Sequence, residues 1–93
     1  MTEIQKNIAV ANFIIDELHK DKPFVLKLDV EERTSFFQMM NDTKIDLKIN
    51  HTAYGCDVLI EDGVADQIYH ALSSYIAKHD LPESVVESLG EVS

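Results

Sequence analysis

The sequence is short of several things, and each shortage excludes a class of protein. Its single cysteine, Cys56, cannot close an internal disulfide, so no covalent staple is expected to hold the fold. Three glycines and two prolines in 93 residues are too few for a collagen-like or low-complexity chain. No apolar run exceeds four residues, against the roughly 20 that a membrane-spanning helix needs. The opening MTEIQKNIAV lacks the basic start and apolar block of a secretory signal, so a cytoplasmic protein is expected. Bases are scarce as well. There are 8 lysines and arginines in all, with Arg33 the only arginine. Direct binding to nucleic acid or to an anionic membrane needs more of them.

What remains is an ordinary globular composition, 45% apolar and 27% charged. A chain of this length can bury one modest core. Residues 1–93 are therefore expected to form one domain, with a short C-terminal helix over about 82–89 and a frayed tail over 90–93.

The charge is uneven. The net −9 comes from 17 acids against 8 bases. Residues 1–48 hold nine acids and seven bases, and residues 49–93 hold eight acids and one base, Lys78. The second part thus carries −7 of the total, a field of one sign of the kind that steers a basic partner.

Hydrophobic periodicity gives the elements. Thr2 and Gln5 fit a capping box, followed by a helical stripe of Ile4, Ile8, Ala11, Ile15 and Leu18. Lys20 and Lys22 are expected near its C-terminal end, before Pro23. Phe13 lies nearly opposite that stripe, beside Val10, so this helix needs a second surface to pack on. Phe24 to Val30 alternate as a half-buried strand, and Asp29 with Glu32 makes a second capping box. The helix that follows turns Phe36 or Phe37 inward with Met40. Ile45, Leu47 and Ile49 predict a second strand, and Cys56 to Ile60 a third. The longer loop expected between them, His51 to Gly55, uses Gly55 for an unusual backbone angle. Asp62-Gly63 opens a helix with core residues Val64, Ile68, Leu72 and Tyr75 or Ile76. Asp80-Leu81-Pro82 ends it, and Leu81, Val85 and Leu89 line one side of the last helix. The order α-β-α-β-β-α-α predicts an α+β fold, a small three-stranded sheet with helices mainly on one face.

Chemistry-bearing residues are few. His51, Cys56, His70 and His79 are separated by 5, 14 and 9 positions, which does not match the paired spacing of a structural zinc site. Neither a metal nor a cofactor is expected, and His70 and His79 read as exposed helix residues. Cys56 with His51 has the residue types of a nucleophile and its base, but a cysteine at the start of a strand also serves as a small core residue. Glu31-Glu32 and Glu61-Asp62 both precede helices, where carboxylates stabilise the positive end of the dipole. No phosphate loop, nucleophile elbow or dinucleotide fingerprint occurs, so an enzyme is not expected.

Tyr54 stands on a turn, where an aromatic either caps the core or makes a contact. The tetrapeptide His51-Thr52-Ala53-Tyr54 resembles one in the phage uracil-DNA glycosylase inhibitors, small acidic proteins that imitate the DNA backbone. The element order over about forty residues before it is similar too, whereas this chain ends in helices where that family ends in strands. The resemblance adds a DNA mimic to the functions that the charge suggests.

The expected function is thus a non-enzymatic, acidic protein-binding module that blocks a basic, nucleic-acid-binding protein. Its partner-binding residues are expected to be Asp57, Glu61, Asp62 and Asp66, a second patch of Glu83, Glu87 and Glu91, and Tyr54. The alternative is an oligomerising structural or regulatory subunit, a homodimer held through Val10, Phe13, Leu81, Val85 and Leu89.

Overall fold

The computed structural model describes residues 2–41 and 43–79. Along the chain they form α1 (Glu3–Glu17), β1 (Phe24–Asp29), α2 (Val30–Met40), β2 (Ile49–Thr52), β3 (Gly55–Ile60) and α3 (Asp62–His79). This is the expected α+β order as far as the described residues run. The helix predicted over 82–89 and the tail lie outside them.

Both capping boxes form. Thr2 Oγ1 accepts from the Gln5 amide at 3.1 Å while the Thr2 amide donates to Gln5 Oε1 at 3.0 Å. Asp29 and Glu32 make the same reciprocal pair at 2.8 Å each. Each such cap contributes about 1 kcal/mol. The second box also shortens the strand. Asp29 is recruited as the cap, so Val30 is the first residue of α2 rather than the last of β1.

The apolar face of α1 is rotated from the one that spacing predicts. Asn7, Ala11, Ile14 and Leu18 are buried, Ile8 and Ile15 half-buried, and Ile4 is 43% exposed. The stripe that spacing selects misses Asn7 because counting apolar residues cannot register a buried amide. The helix also ends at Glu17, with no base in its last turn. Lys20 instead reaches back to Glu17 at 2.8 Å.

The sheet has the order β1-β3-β2, antiparallel throughout, so β3 is central and, among the described residues, both edges are unpaired. Register fixes what each face carries, because directly paired residues point the same way. Phe24, Leu26 and Leu28 pair with Ile60, Val58 and Cys56 and face the helices. Val25 and Lys27 pair with Leu59 and Asp57 on the open face. Phe36, Ile14, Ile68 and Leu72 close the core over the first set and are fully buried. Each such side chain contributes roughly 1.5–3 kcal/mol. Phe37, the alternative inward residue of α2, is only half-buried and lies over the His51 ring at 5.7 Å between centroids.

Two strand expectations are corrected. Ile45 and Leu47 alternate in burial with Lys44 and Asp46, yet residues 44–48 form no strand, and β2 starts at Ile49. Ile49 pairs with Val58, so β3 offers partners to only about two residues further back before it ends at Ile60. The alternation is therefore real as burial, but beyond the Leu59 amide donating to the Lys48 carbonyl at 3.0 Å it carries no ladder. The loop after β2 is also tighter than expected. His51 and Thr52 belong to the strand, Thr52 pairs with Gly55, and only Ala53 and Tyr54 turn.

Candidate interaction surface

The expected contact residues fall at opposite ends of β3. At the far end, Glu61, Asp62 and Asp66 are all exposed where the sheet hands over to α3. The Glu61 carbonyl accepts the first helical bond from Ala65 at 2.8 Å, so these carboxylates sit on the positive end of the α3 dipole. Asp62 and Asp66 are one turn apart, roughly 5–6 Å between Cβ atoms. The structure thus brings three of the four residues of the first acidic patch together. Asp57 stands apart. It is half-buried in the middle of the open sheet face, with Lys27 across from it on β1 and Asn50 on β2. An acid placed opposite a lysine has its local charge offset within the sheet.

The near end carries Tyr54, 86% exposed on the turn. Of the two roles the sequence allows it, capping the core is therefore not the one it takes. It lies about 23 Å from Glu61 along the strand, so one compact site does not include both. The turn is held from several directions. Arg33 Nη1 donates to the Gly55 carbonyl at 2.8 Å, and the Tyr54 amide donates to Thr52 Oγ1 at 3.2 Å. Gly55 has φ 145°, and a Cβ there would overlap the Leu28 carbonyl oxygen and lie 2.8 Å from the Asp29 Cα. The one arginine of the sequence is thereby used inside the fold.

Of the expected self-association residues, Phe13 is 37% exposed, while Val10 is half-buried and packs against the core. Val10 thus offers only part of its side chain to a second surface. Leu81, Val85, Leu89, Glu83, Glu87 and Glu91 lie outside the described residues.

Cys56 and His51 are direct cross-strand partners. The thiol is 2% exposed, and burial pushes it up from its ordinary value. Arg33 pulls it down and Asp57 adds to the rise, both by smaller amounts. A buried thiol held protonated is a core residue, since the thiolate is the reactive form. Among the described residues no group of three or more His, Cys, Asp or Glu is arranged to hold a metal ion. None of the described helices is long and apolar enough to cross a membrane.

Sequence reasoning missed two features. One is a polar junction between the three helices. Asn7, 4% exposed, donates from Nδ2 to the Tyr75 hydroxyl at 3.0 Å and to Gln38 Oε1 at 3.2 Å. Its Oδ1 is buried without a partner among the described residues. The available signal was position, because Asn7 is in helical phase with Ala11, Ile14 and Leu18. The other is an open groove of about 600 Å³ between the C-terminal halves of α2 and α3 and residues 43–45. Lys44, His70, Lys78 and His79 line it above an apolar floor, and no described aspartate or glutamate does. Its lining comes from segments far apart in the chain, which no local pattern joins.

No family model, no curated protein and no solved structure matches this chain.

Proposed function

We propose that the chain is a non-enzymatic, acidic protein-binding module acting in the cytoplasm, an inhibitor or DNA mimic that blocks a basic, nucleic-acid-binding protein. The observation that supports this reading is the exposed cluster of Glu61, Asp62 and Asp66 on the positive end of α3. The nearest base along that helix, Lys78, is 12 residues beyond Asp66, about 18 Å away. That exceeds the Debye length of roughly 8–10 Å, so the cluster presents its charge without local neutralisation from that end. Carboxylates fixed on a helix start stand where a basic groove expects phosphates, and their field speeds encounter.

The test is capture of the basic partner from native-cell lysate at low and high salt, with duplex DNA as competitor. A nucleic-acid-binding protein released by salt and displaced by DNA is the expected result. A partner indifferent to both overturns mimicry.

A second reading has one observation in its favour, the exposed ring of Phe13 on α1. Under it the chain is an oligomerising subunit, and Phe13→Glu converts a dimer to a monomer in light scattering. A folded variant of unchanged mass removes Phe13 from any interface.

A further inference from the structure

In a chain of net charge −9, the groove between α2 and α3 has the opposite character. Lys44, Lys78, His70 and His79 stand around it, and no described aspartate or glutamate lines it. Its floor is made by Met39, Ile45, Ala71 and Tyr75, which belong to the core or pack against it. A volume of about 600 Å³ is in the range of small-molecule sites, where an apolar lining carries a few convergent polar groups.

The polar junction decides what those groups offer. Asn7 Nδ2 donates to Gln38 Oε1 at 3.2 Å and to the Tyr75 hydroxyl at 3.0 Å. Gln38 and Tyr75 both line the groove. Since Asn7 takes up an oxygen lone pair of each, Gln38 has its Nε2 hydrogens left to offer and Tyr75 its O–H, and both are donors. The two lysine ammonium groups and the histidine N–H groups are donors as well. Donors and positive charge above an apolar floor select an anion with an apolar body.

We propose that the groove is a binding site for a medium-chain alkyl carboxylate. The charge of the whole chain chooses the head group. A phosphate monoester brings close to two negative charges, and its repulsion from a chain of net −9 grows in proportion. A carboxylate brings one charge and still accepts from several donors. At Lys78 the acids at the start of α3 are remote, since Asp66 is 12 residues or about 18 Å away. That exceeds the Debye length of roughly 8–10 Å, so the rim acts on an anion without cancellation from that cluster. The α3 wall from Gln67 to Lys78 runs for about 16 Å, room for a medium-length chain laid along the floor. The site uses none of Glu61, Asp62 and Asp66, so it goes beyond the partner reading and is tested apart from it.

The test is titration of the ¹⁵N-labelled full chain with sodium octanoate, sodium butanoate and octan-1-ol at constant ionic strength, followed by amide chemical shifts. Octanoate is expected to give saturable shifts confined to residues 38–39, 43–45 and 67–79. Each buried methylene tightens binding about fourfold, so butanoate is expected to bind about tenfold or more weakly even from a groove open on one side. Octan-1-ol, which keeps the chain and lacks the charge, is expected to bind about fivefold or more weakly than octanoate. Lys44→Glu with Lys78→Glu is expected to erase this preference for the carboxylate. Both lysines are exposed, so amide shifts outside the groove should stay as in the parent chain and report an intact fold. No saturation with millimolar octanoate overturns the proposal, and so do shifts centred on another surface. Equal binding of octan-1-ol overturns the anion site, as does a carboxylate preference that survives the loss of both lysines.

Discussion

The two ends of β3 are built on different principles. At the turn end, Gly55 lies against the β1 backbone and Arg33 holds its carbonyl, while Cys56 is sealed in the core. Geometry there is over-determined, and the Tyr54 ring is offered to solvent at 86% exposure. At the helix end the strand gives way to Glu61, Asp62 and Asp66, which are exposed and answer to the dipole of α3. The turn end fixes positions, and the helix end sets a field. Under the proposed function, stability and recognition separate along one strand, and substitutions at its two ends should move different observables.

The largest effect belongs to the turn end. Gly55→Ala places a Cβ into the Leu28 carbonyl and against Asp29, at a φ that favours glycine. Backbone cannot yield as a flexible side chain does, so the loss of unfolding free energy in urea titration is expected to be about 3 kcal/mol or more. A loss below about 1 kcal/mol would show that β1 can move aside, and the claim of a rigid turn end would fail.

Cys56 tests the same end by pH. Its thiol is raised above the ordinary 9.0, chiefly by burial. Below that value both folded and unfolded chains keep the proton, and the contribution is complete. As pH rises toward the raised folded value, the unfolded chain loses its proton first, so it binds fewer protons and stability falls. The slope from this one group is at most about 1.4 kcal/mol per pH unit. Urea titrations at pH 8 and pH 10 should show a smaller alkaline loss in Cys56→Ala than in the parent chain. Equal losses would assign the effect to other groups and deny the seal around Cys56.

These two ends were unequally legible in the sequence. Gly55 and the Asp29–Glu32 box announce themselves through local chemistry, and both were found where residue type and spacing put them. The cluster of Glu61, Asp62 and Asp66 is also local, within five residues, and its exposure follows from its place before a helix. What escaped depends on partners distant in the chain. Ile45 and Leu47 have the alternation of a strand, but the ladder to β3 begins only at Ile49, and Ile45 lies beyond the end of β3 in that register. Asn7 is buried where Gln38 and Tyr75, 31 and 68 residues away, accept from its Nδ2. The cationic groove is a meeting of α2, α3 and residues 43–45 that no window of sequence contains.

At the helix end the expected change is kinetic. Asp62→Lys with Asp66→Lys removes two favourable dipole interactions of about 0.3–1 kcal/mol each, a small shift in folding stability. Association with a basic partner should slow by roughly tenfold or more at low salt, with a flatter dependence on ionic strength. Stopped-flow rates at two salt concentrations read this directly. An unchanged rate and an unchanged salt slope would move the binding surface away from this cluster.

The smallest effect on stability is expected from Tyr54, and that smallness makes it informative. The ring is 86% exposed, so Tyr54→Ser should leave the unfolding free energy within about 0.5 kcal/mol. Its amide still donates to Thr52 and the turn keeps its shape. Any loss of partner binding then comes from the contact itself and should appear in the dissociation rate, where short-range contacts act, rather than in the salt-sensitive association rate. A faster release with an unaltered approach would make the turn end a second contact some 23 Å from the charged one. If neither rate moves, recognition belongs to the helix end alone, and the rigid turn serves only to hold the sheet.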